Sequence, residues 1–241
     1  MSEITVAVAQ SIAVPGDVAR SVQDHVRLAA QAAKQGARLV LFPELSLTGY
    51  DRRLTPADAL PPADPRLQPL QALADAREVV IIAGAPIPSP SGLHIGALCF
   101  APHRAVTTYL KRYLHAGEEV TFTAGSGGDA LRVAGQVVCV AICADITHAE
   151  HAQTAVTQGA GIYAASCFIT PGGYATDAGL LVGYARKHRM AVLMANYGVP
   201  TGGWMAAGRS AIWSRKGDLL ACGPAEGEAV IVAHLAEAGS S

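Results

Sequence analysis

The sequence predicts an α/β fold in which helices cover mixed β-sheets, and three observations carry that expectation. Segments of strand periodicity alternate with segments of helical periodicity over most of the chain. The alternation gives way to hairpin-like strand pairs in the middle and at the end. Of the 241 residues, 51% are hydrophobic and only 15% charged, so much apolar surface must be hidden between layers.

The elements follow in order. Ile4-Thr5-Val6-Ala7-Val8-Ala9-Gln10 alternates with period two and reads as a strand. Asp17 is placed to cap a helix over residues 18–35, where Val18, Val22, Val26, Ala29, Ala30 and Ala33 recur at helical spacing before Gly36. Leu39-Val40-Leu41-Phe42 is the short continuous apolar run of a strand covered on both faces, and it stops at Pro43-Glu44. Residues 45–65, rich in Pro and Asp, read as a long functional loop with room for a helical turn. A helix over 67–77 precedes strands over 79–85, 95–101 and 105–110, with Pro88-Ser89-Pro90-Ser91-Gly92 and Pro102-His103-Arg104 as turns. Gly125-Ser126-Gly127-Gly128 reads as a mobile loop, after which residues 130–133 and 136–142 form a hairpin ending at Cys143. A helix over 147–158, a strand over 161–165, a helix over 175–188 and a strand over 191–196 resume the alternation. Strands over 208–214, 219–222 and 228–234 close the chain, with Lys216-Gly217-Asp218 as a hairpin turn. No linker interrupts the pattern, so residues 1–241 read as one domain.

Charge and hydropathy exclude whole classes of partner. With 18 basic and 19 acidic side chains the net charge is -1, which lacks the basic excess of a nucleic-acid or anionic-membrane binder. The longest apolar runs, 137–144 and 178–185, are eight residues each, against the roughly 20 a spanning helix needs. Met1-Ser2-Glu3-Ile4 shows no basic segment leading into an apolar stretch, so a cytoplasmic location is expected. The five cysteines, Cys99, Cys139, Cys143, Cys167 and Cys222, are odd in number and sit mostly in apolar segments, as thiols rather than a disulfide framework.

Three ionisable residues stand where a strand gives way to a loop: Glu44, Lys111 and Cys143. Strand ends along one edge of a sheet are common places for sites. The residue types also fit one chemistry. A cysteine attacks as thiolate, a carboxylate takes its proton, and an ammonium stabilises the oxyanion formed at a carbonyl. From spacing alone the trio is a candidate and no more.

The blocks around these residues sharpen it. Phe42-Pro43-Glu44-Leu45-Ser46-Leu47-Thr48-Gly49-Tyr50, Tyr109-Leu110-Lys111-Arg112-Tyr113-Leu114 and Val140-Ala141-Ile142-Cys143-Ala144-Asp145 resemble, in order and separation, the three active-site blocks of the nitrilase superfamily of carbon-nitrogen hydrolases. The strand end at Gln10, Ala195-Asn196 and Gly208-Arg209-Ser210-Ala211-Ile212 resemble further landmarks, so the likeness covers nearly the whole chain. The resemblance implies a four-layer α-β-β-α sandwich with Glu44 as general base, Lys111 as oxyanion stabiliser and Cys143 as nucleophile. It also implies a second glutamate, which fits Glu119 best with Glu118 as close rival, orienting the substrate and Lys111. The implied reaction is hydrolysis of a small amide through a thioester, the oxyanion held by Lys111 and the backbone N–H of Ala144, with no metal or organic cofactor. Tyr50, Tyr113, Cys167, Phe168 and Tyr174 are candidate pocket walls, and a homodimer is implied.

Departures from the family pattern bear on substrate. Ala144-Asp145 stands where nitrile-cleaving members carry Trp-Glu, which favours an amide, and Thr147-His148-Ala149-Glu150 keeps only the final glutamate of an Arg-Phe-Pro-Glu-like block. Competing readings are weaker. Cys143, Asp145, His148 and His151 lack the second cysteine or the His-Glu-x-x-His of a zinc site. Gly159-Ala160-Gly161 runs from helix into strand, the reverse of a dinucleotide-binding turn. Cys167 also follows a strand but lacks a base. The alternatives are an N-carbamoyl amine hydrolase or a nitrilase on the same triad and a non-catalytic small-molecule binding protein on the same fold, the last opposed by the intact trio.

Overall fold

Strand side chains alternate between two environments, and that alternation builds four layers. The computed structural model describes residues 3–12 and 14–236, so Met1 and Ser2 of the segment read for a leader lie outside the described residues. The chain runs β1 (Ile4–Gln10), α1 (Val18–Lys34), β2 (Leu39–Leu41), α2 (Gln68–Arg77), β3 (Val80–Ser89), β4 (Gly92–Phe100), β5 (Thr107–Leu110), β6 (Leu131–Val133) and β7 (Gln136–Ile142). It continues through α3 (Ala149–Thr157), β8 (Ile162–Ser166), α4 (Tyr174–His188), β9 (Ala191–Ala195), β10 (Ala211–Trp213), β11 (Leu219–Cys222) and β12 (Ala229–Leu235).

Two six-stranded mixed sheets result, ordered β12-β1-β2-β3-β4-β5 and β11-β10-β9-β8-β7-β6. Each has a parallel centre, β1-β2-β3 in one and β7-β8-β9 in the other, flanked by antiparallel strands. Val6, Val8, Leu39, Leu41 and Ile82 face Val138, Val140, Ile162, Ala164 and Leu193 in the inter-sheet core. The residues between them point the other way. Ala7, Val40, Ile81 and Ala83 pack on Val22, Leu28, Ala29 and Leu70 of α1 and α2, and Cys139, Ala141, Tyr163 and Val192 pack on Ala152, Leu181 and Ala185 of α3 and α4. The architecture is therefore the α-β-β-α sandwich, and its parallel centres explain why the strands read as continuous apolar runs. No helix among the described residues is long and apolar enough to cross a membrane.

Two segments differ from expectation for physical reasons. The β3–β4 hairpin is longer than the prolines suggest, with pairing carried to Ser89↔Gly92. The carbonyl of Pro86 accepts Leu60 N–H at 2.8 Å, so its imide nitrogen also faces the 45–65 loop and no β3–β4 ladder bond is lost. The glycine loop at 125–128 is not a free loop. Gly127 and Leu110 exchange backbone hydrogen bonds of 3.0 and 3.1 Å, and Gly125 N–H donates to the carbonyl of Lys111. A Cβ at Gly128 would lie 2.7 Å from the carbonyl oxygen of Thr108, so glycine is there because backbone approaches backbone.

The same constraint acts at Gly84 of β3, where a Cβ would fall on the Pro43 oxygen and the Leu45 nitrogen, and 2.8 Å from the carbonyl carbon of Glu44. Gly84→Ala is expected to lower the urea midpoint by the equivalent of about 1–3 kcal/mol. A midpoint equal to the parent's would contradict this close-packing account.

Candidate active site

The site lies at the carboxyl ends of strands from both sheets, where a layered sheet leaves polar termini converging. Glu44 follows β2. Its turn has Leu45 at φ +51° and is pinned from several sides. Leu47 N–H donates to Gly84 O at 2.9 Å, Ser46 Oγ accepts Gly84 N–H at 3.1 Å, and Tyr197 OH donates to the Glu44 carbonyl at 2.6 Å. Ser166 Oγ of β8 donates to Phe42 O at 2.8 Å, tying the turn to the opposite sheet. Beneath it, buried His25 of α1 lies 2.7 Å through Nδ1 from the Ser21 carbonyl and 2.8 Å through Nε2 from Ser46 Oγ. A carbonyl only accepts, so Nδ1 carries the proton and Nε2 accepts from Ser46. Burial pulls His25 down to about 4, keeping it neutral.

Lys111 extends β5, its N–H still donating to Ile95 O at 2.9 Å. Its side chain is fully buried. Nζ donates to Glu44 Oε1 at 2.6 Å and to both oxygens of Glu118 at 2.8 and 2.9 Å. Burial opposes the charge on Lys111, but the carboxylates of Glu44 and Glu118 overcome it and hold the ammonium above the ordinary lysine range. Burial pushes Glu44 up to about 7 against the pull of Lys111. Its second oxygen, Oε2, is buried without a hydrogen-bond partner.

The second glutamate beside Lys111 is Glu118, not Glu119. Gly117, at φ +91°, starts a one-turn 3-10 segment over Glu118–Val120. Successive residues there point about 120° apart, so only one glutamate faces inward. Glu118 does, fully buried and accepting Tyr50 OH at 2.9 Å and His115 N–H at 2.8 Å. Glu119 is exposed and accepts Gly117 N–H at 2.6 Å. The signal in the sequence is Phe122, a buried aromatic whose N–H closes an α-turn on the Glu118 carbonyl at 2.8 Å.

Cys143 follows β7 at φ +39°, a left-handed conformation costly for a residue with a Cβ and characteristic of strained functional turns. Its Sγ donates to Phe168 O at 3.3 Å. Burial and the negative charge of Glu44 push the thiol well above its ordinary value, so it rests protonated. The Phe168 segment is held by Asn196, whose amide accepts Ile169 N–H at 2.9 Å and donates to Ile169 O and Gly208 O.

The candidate pocket walls divide. Tyr50 and Phe168 stack with ring centroids 4.6 Å apart, and Tyr197, not singled out from the sequence, meets Phe168 edge-on at 5.9 Å. Ala144 is buried beside Cys143. Tyr113 instead stacks on His148 at 3.7 Å, with its OH 3.4 Å from Glu150 on the outer side of α3. Cys167 packs into the core beneath α3 and α4, behind the turn carrying Cys143. Tyr174 is half-buried, with its OH on the Arg209 carbonyl. No cluster of three or more His, Cys, Asp or Glu suited to a metal occurs among the described residues.

Glu44 makes stability pH-dependent. Its carboxyl titrates near 4.5 when unperturbed and about 7 in the fold, so the folded protein holds the extra proton between those values. That contribution to stability is full below 4.5 and lost as pH rises through 7. Relative to Glu44→Gln, the parent is expected to lose on the order of 1–3 kcal/mol between pH 4.5 and 8 in urea unfolding. A stability gap that stays constant with pH would contradict it.

A sequence model of the carbon-nitrogen hydrolase family matches residues 5–239. Among solved structures, a double mutant of the amidase from Nesterenkonia sp. AN1 in complex with acrylamide is 23% identical, with a TM-score of 0.87 over 99% of this chain and 92% of that one. Another mutant of that amidase, showing covalent addition of the acetamide moiety of fluoroacetamide at the active site cysteine, is also 23% identical, with a TM-score of 0.87 over 98% and 92% of the two chains. At that identity the likeness is one of fold.

Proposed function

The chain belongs to the carbon-nitrogen hydrolase family, and on that footing we propose that it hydrolyses a small amide through an acyl thioester on Cys143. One observation carries the reading. Glu44 Oε2 is buried and unpartnered in a cluster where the other carboxylate oxygen is clamped to Lys111 and the Cys143 thiol is a direct electrostatic neighbour. A buried acceptor without a donor is costly, and the Cys143 S–H, turned from the Phe168 carbonyl toward Glu44, supplies one.

The resting thiol is protonated, so proton transfer accompanies attack rather than preceding it. As sulfur bonds to the amide carbon, the S–H proton passes to Glu44 and the carbonyl electron pair moves onto oxygen. The Lys111 ammonium and the Ala144 N–H stabilise that oxyanion. Collapse breaks the C–N bond, and Glu44 returns the proton to the departing nitrogen, giving ammonia or an amine. Water, deprotonated by Glu44, then attacks the thioester, the acid leaves and the thiol is restored. Tyr50 holds Glu118, and Glu118 holds Lys111, against recoil during these charge shifts. The packed rings of Tyr50, Phe168 and Tyr197 favour a short acyl group. The crystallographic relative in complex with acrylamide supports an amide of that size.

Ammonia release from a panel of short-chain amides, nitriles and N-carbamoyl amines tests this. Amides are expected to turn over fastest, Cys143→Ala to release nothing, and Glu44→Gln to lose about 10²–10⁴-fold in kcat while remaining folded. Faster nitrile turnover would overturn the substrate class, and an active Cys143→Ala would overturn the mechanism.

A further inference from the structure

Asp145 lies two residues beyond Cys143 in the 3-10 turn Cys143–Thr147 and is fully buried. It accepts four hydrogen bonds. Oδ2 accepts Ile142 N–H at 2.9 Å and Tyr109 OH at 2.8 Å, while Oδ1 accepts Arg112 N–H at 3.1 Å and Tyr113 N–H at 3.0 Å. Ile142 immediately precedes the thiol, Arg112 immediately follows the ammonium, and Tyr109 lies two residues before it. One carboxylate therefore grips the backbone beside both groups.

That grip joins two sheets. Lys111 continues β5 of the first sheet and Cys143 directly follows β7 of the second. Between the sheets the packing is apolar, which attracts without direction, whereas hydrogen bonds fix position to a few tenths of an ångström. The Glu44 turn has its own braces to the second sheet through Ser166 and Tyr197. From this geometry we infer that Asp145 is a positioning residue for the reaction, setting the reach between the Lys111 ammonium and the Cys143 sulfur.

A directional chain supports the carboxylate from behind. His151 lies 2.7 Å through Nδ1 from Tyr163 OH and 2.6 Å through Nε2 from Tyr109 OH. Because Tyr109 spends its proton on Asp145, its oxygen must accept from His151 Nε2–H, and His151 Nδ1 must then accept from Tyr163. Burial lowers His151 from its ordinary range, in keeping with this neutral tautomer. Both ring nitrogens are engaged, so His151 is part of the brace.

Asparagine cannot replace this group. Its single oxygen can serve the Arg112 and Tyr113 N–H groups or the Ile142 side, and its NH₂ then confronts a fixed backbone donor. The inference rests on the thiol mechanism proposed above, so the test reads Cys143 chemistry with and without an amide. For the parent, Asp145→Asn and Tyr109→Phe, kcat and KM on the best amide are measured beside the pH profile of Cys143 alkylation by iodoacetamide, located by peptide mass, and the melting temperature. Asp145→Asn is expected to lose on the order of 10²-fold in kcat with KM little changed. Its Cys143 alkylation is expected to slow at least about tenfold at pH 7, with the profile moved to higher pH. Tyr109→Phe keeps all three backbone bonds and is expected to show the same pattern at about tenfold or less. Should Asp145→Asn fail to fold, Tyr109→Phe decides alone. A lowered melting temperature with kcat and alkylation within about threefold of the parent overturns the inference and leaves a purely structural carboxylate. Slower alkylation in a protein whose parent turns over no amide would uphold the positioning role and sink the amide reading instead.

Discussion

A lysine ammonium shut away from water between two carboxylates is the constraint on which the rest of this structure depends. Lys111, Glu44 and Glu118 are each fully buried, and the desolvation of such charges is repaid only by close, well-formed contacts. The cluster carries one more negative than positive charge when both carboxyls are ionised. That surplus, with burial, is what lifts Glu44 to about 7 and keeps Cys143 a thiol. The same imbalance that burdens the folded state sets Glu44 up as a base working near neutrality.

The surroundings can be understood as what holds that cluster in place. Backbone approaches backbone at Gly84, Gly125 and Gly128, so the turns on either side of Lys111 and Glu44 have little freedom to relax. Polar braces cross the inter-sheet core at Ser166, Tyr197 and Asp145, each ending on backbone near a reacting group. Histidines outside the cluster are recruited as neutral connectors, His25 beneath the Glu44 turn and His151 behind Asp145. Apolar layers bring the sheets together, and these bonds determine how far apart the chemistry sits.

Much of this was legible in the sequence because strand periodicity and turn chemistry are local. The strands at Gln136–Ile142 and Leu219–Cys222 fall where the pattern places them, since apolar runs bounded by glycine and charged turns admit one phase. What was not legible depends on three-dimensional neighbours. Pro88 suggested a turn because the β4 pairing that carries β3 through it to Ser89 cannot be seen in one dimension. Gly125 to Gly128 suggested mobility, although glycine there serves contact with β5. Glu118 and Glu119 differ only in which way a single 3-10 turn faces, and Cys167 and Tyr113 follow strands yet pack their side chains into the α3/α4 core and onto His148. Asp145 gave no signal of its own, because its role lies in four donors drawn from two segments of chain.

The account centres on a covalent bond between Cys143 and the acyl half of an amide, and intact-protein mass spectrometry tests that bond most directly. Acid quenching during turnover of a short amide is predicted to reveal a population heavier by the acyl group. The added mass should map to Cys143 and be released by hydroxylamine, as a thioester requires. Turnover with no adduct at Cys143, or an adduct on Cys167 or another residue, would contradict the account.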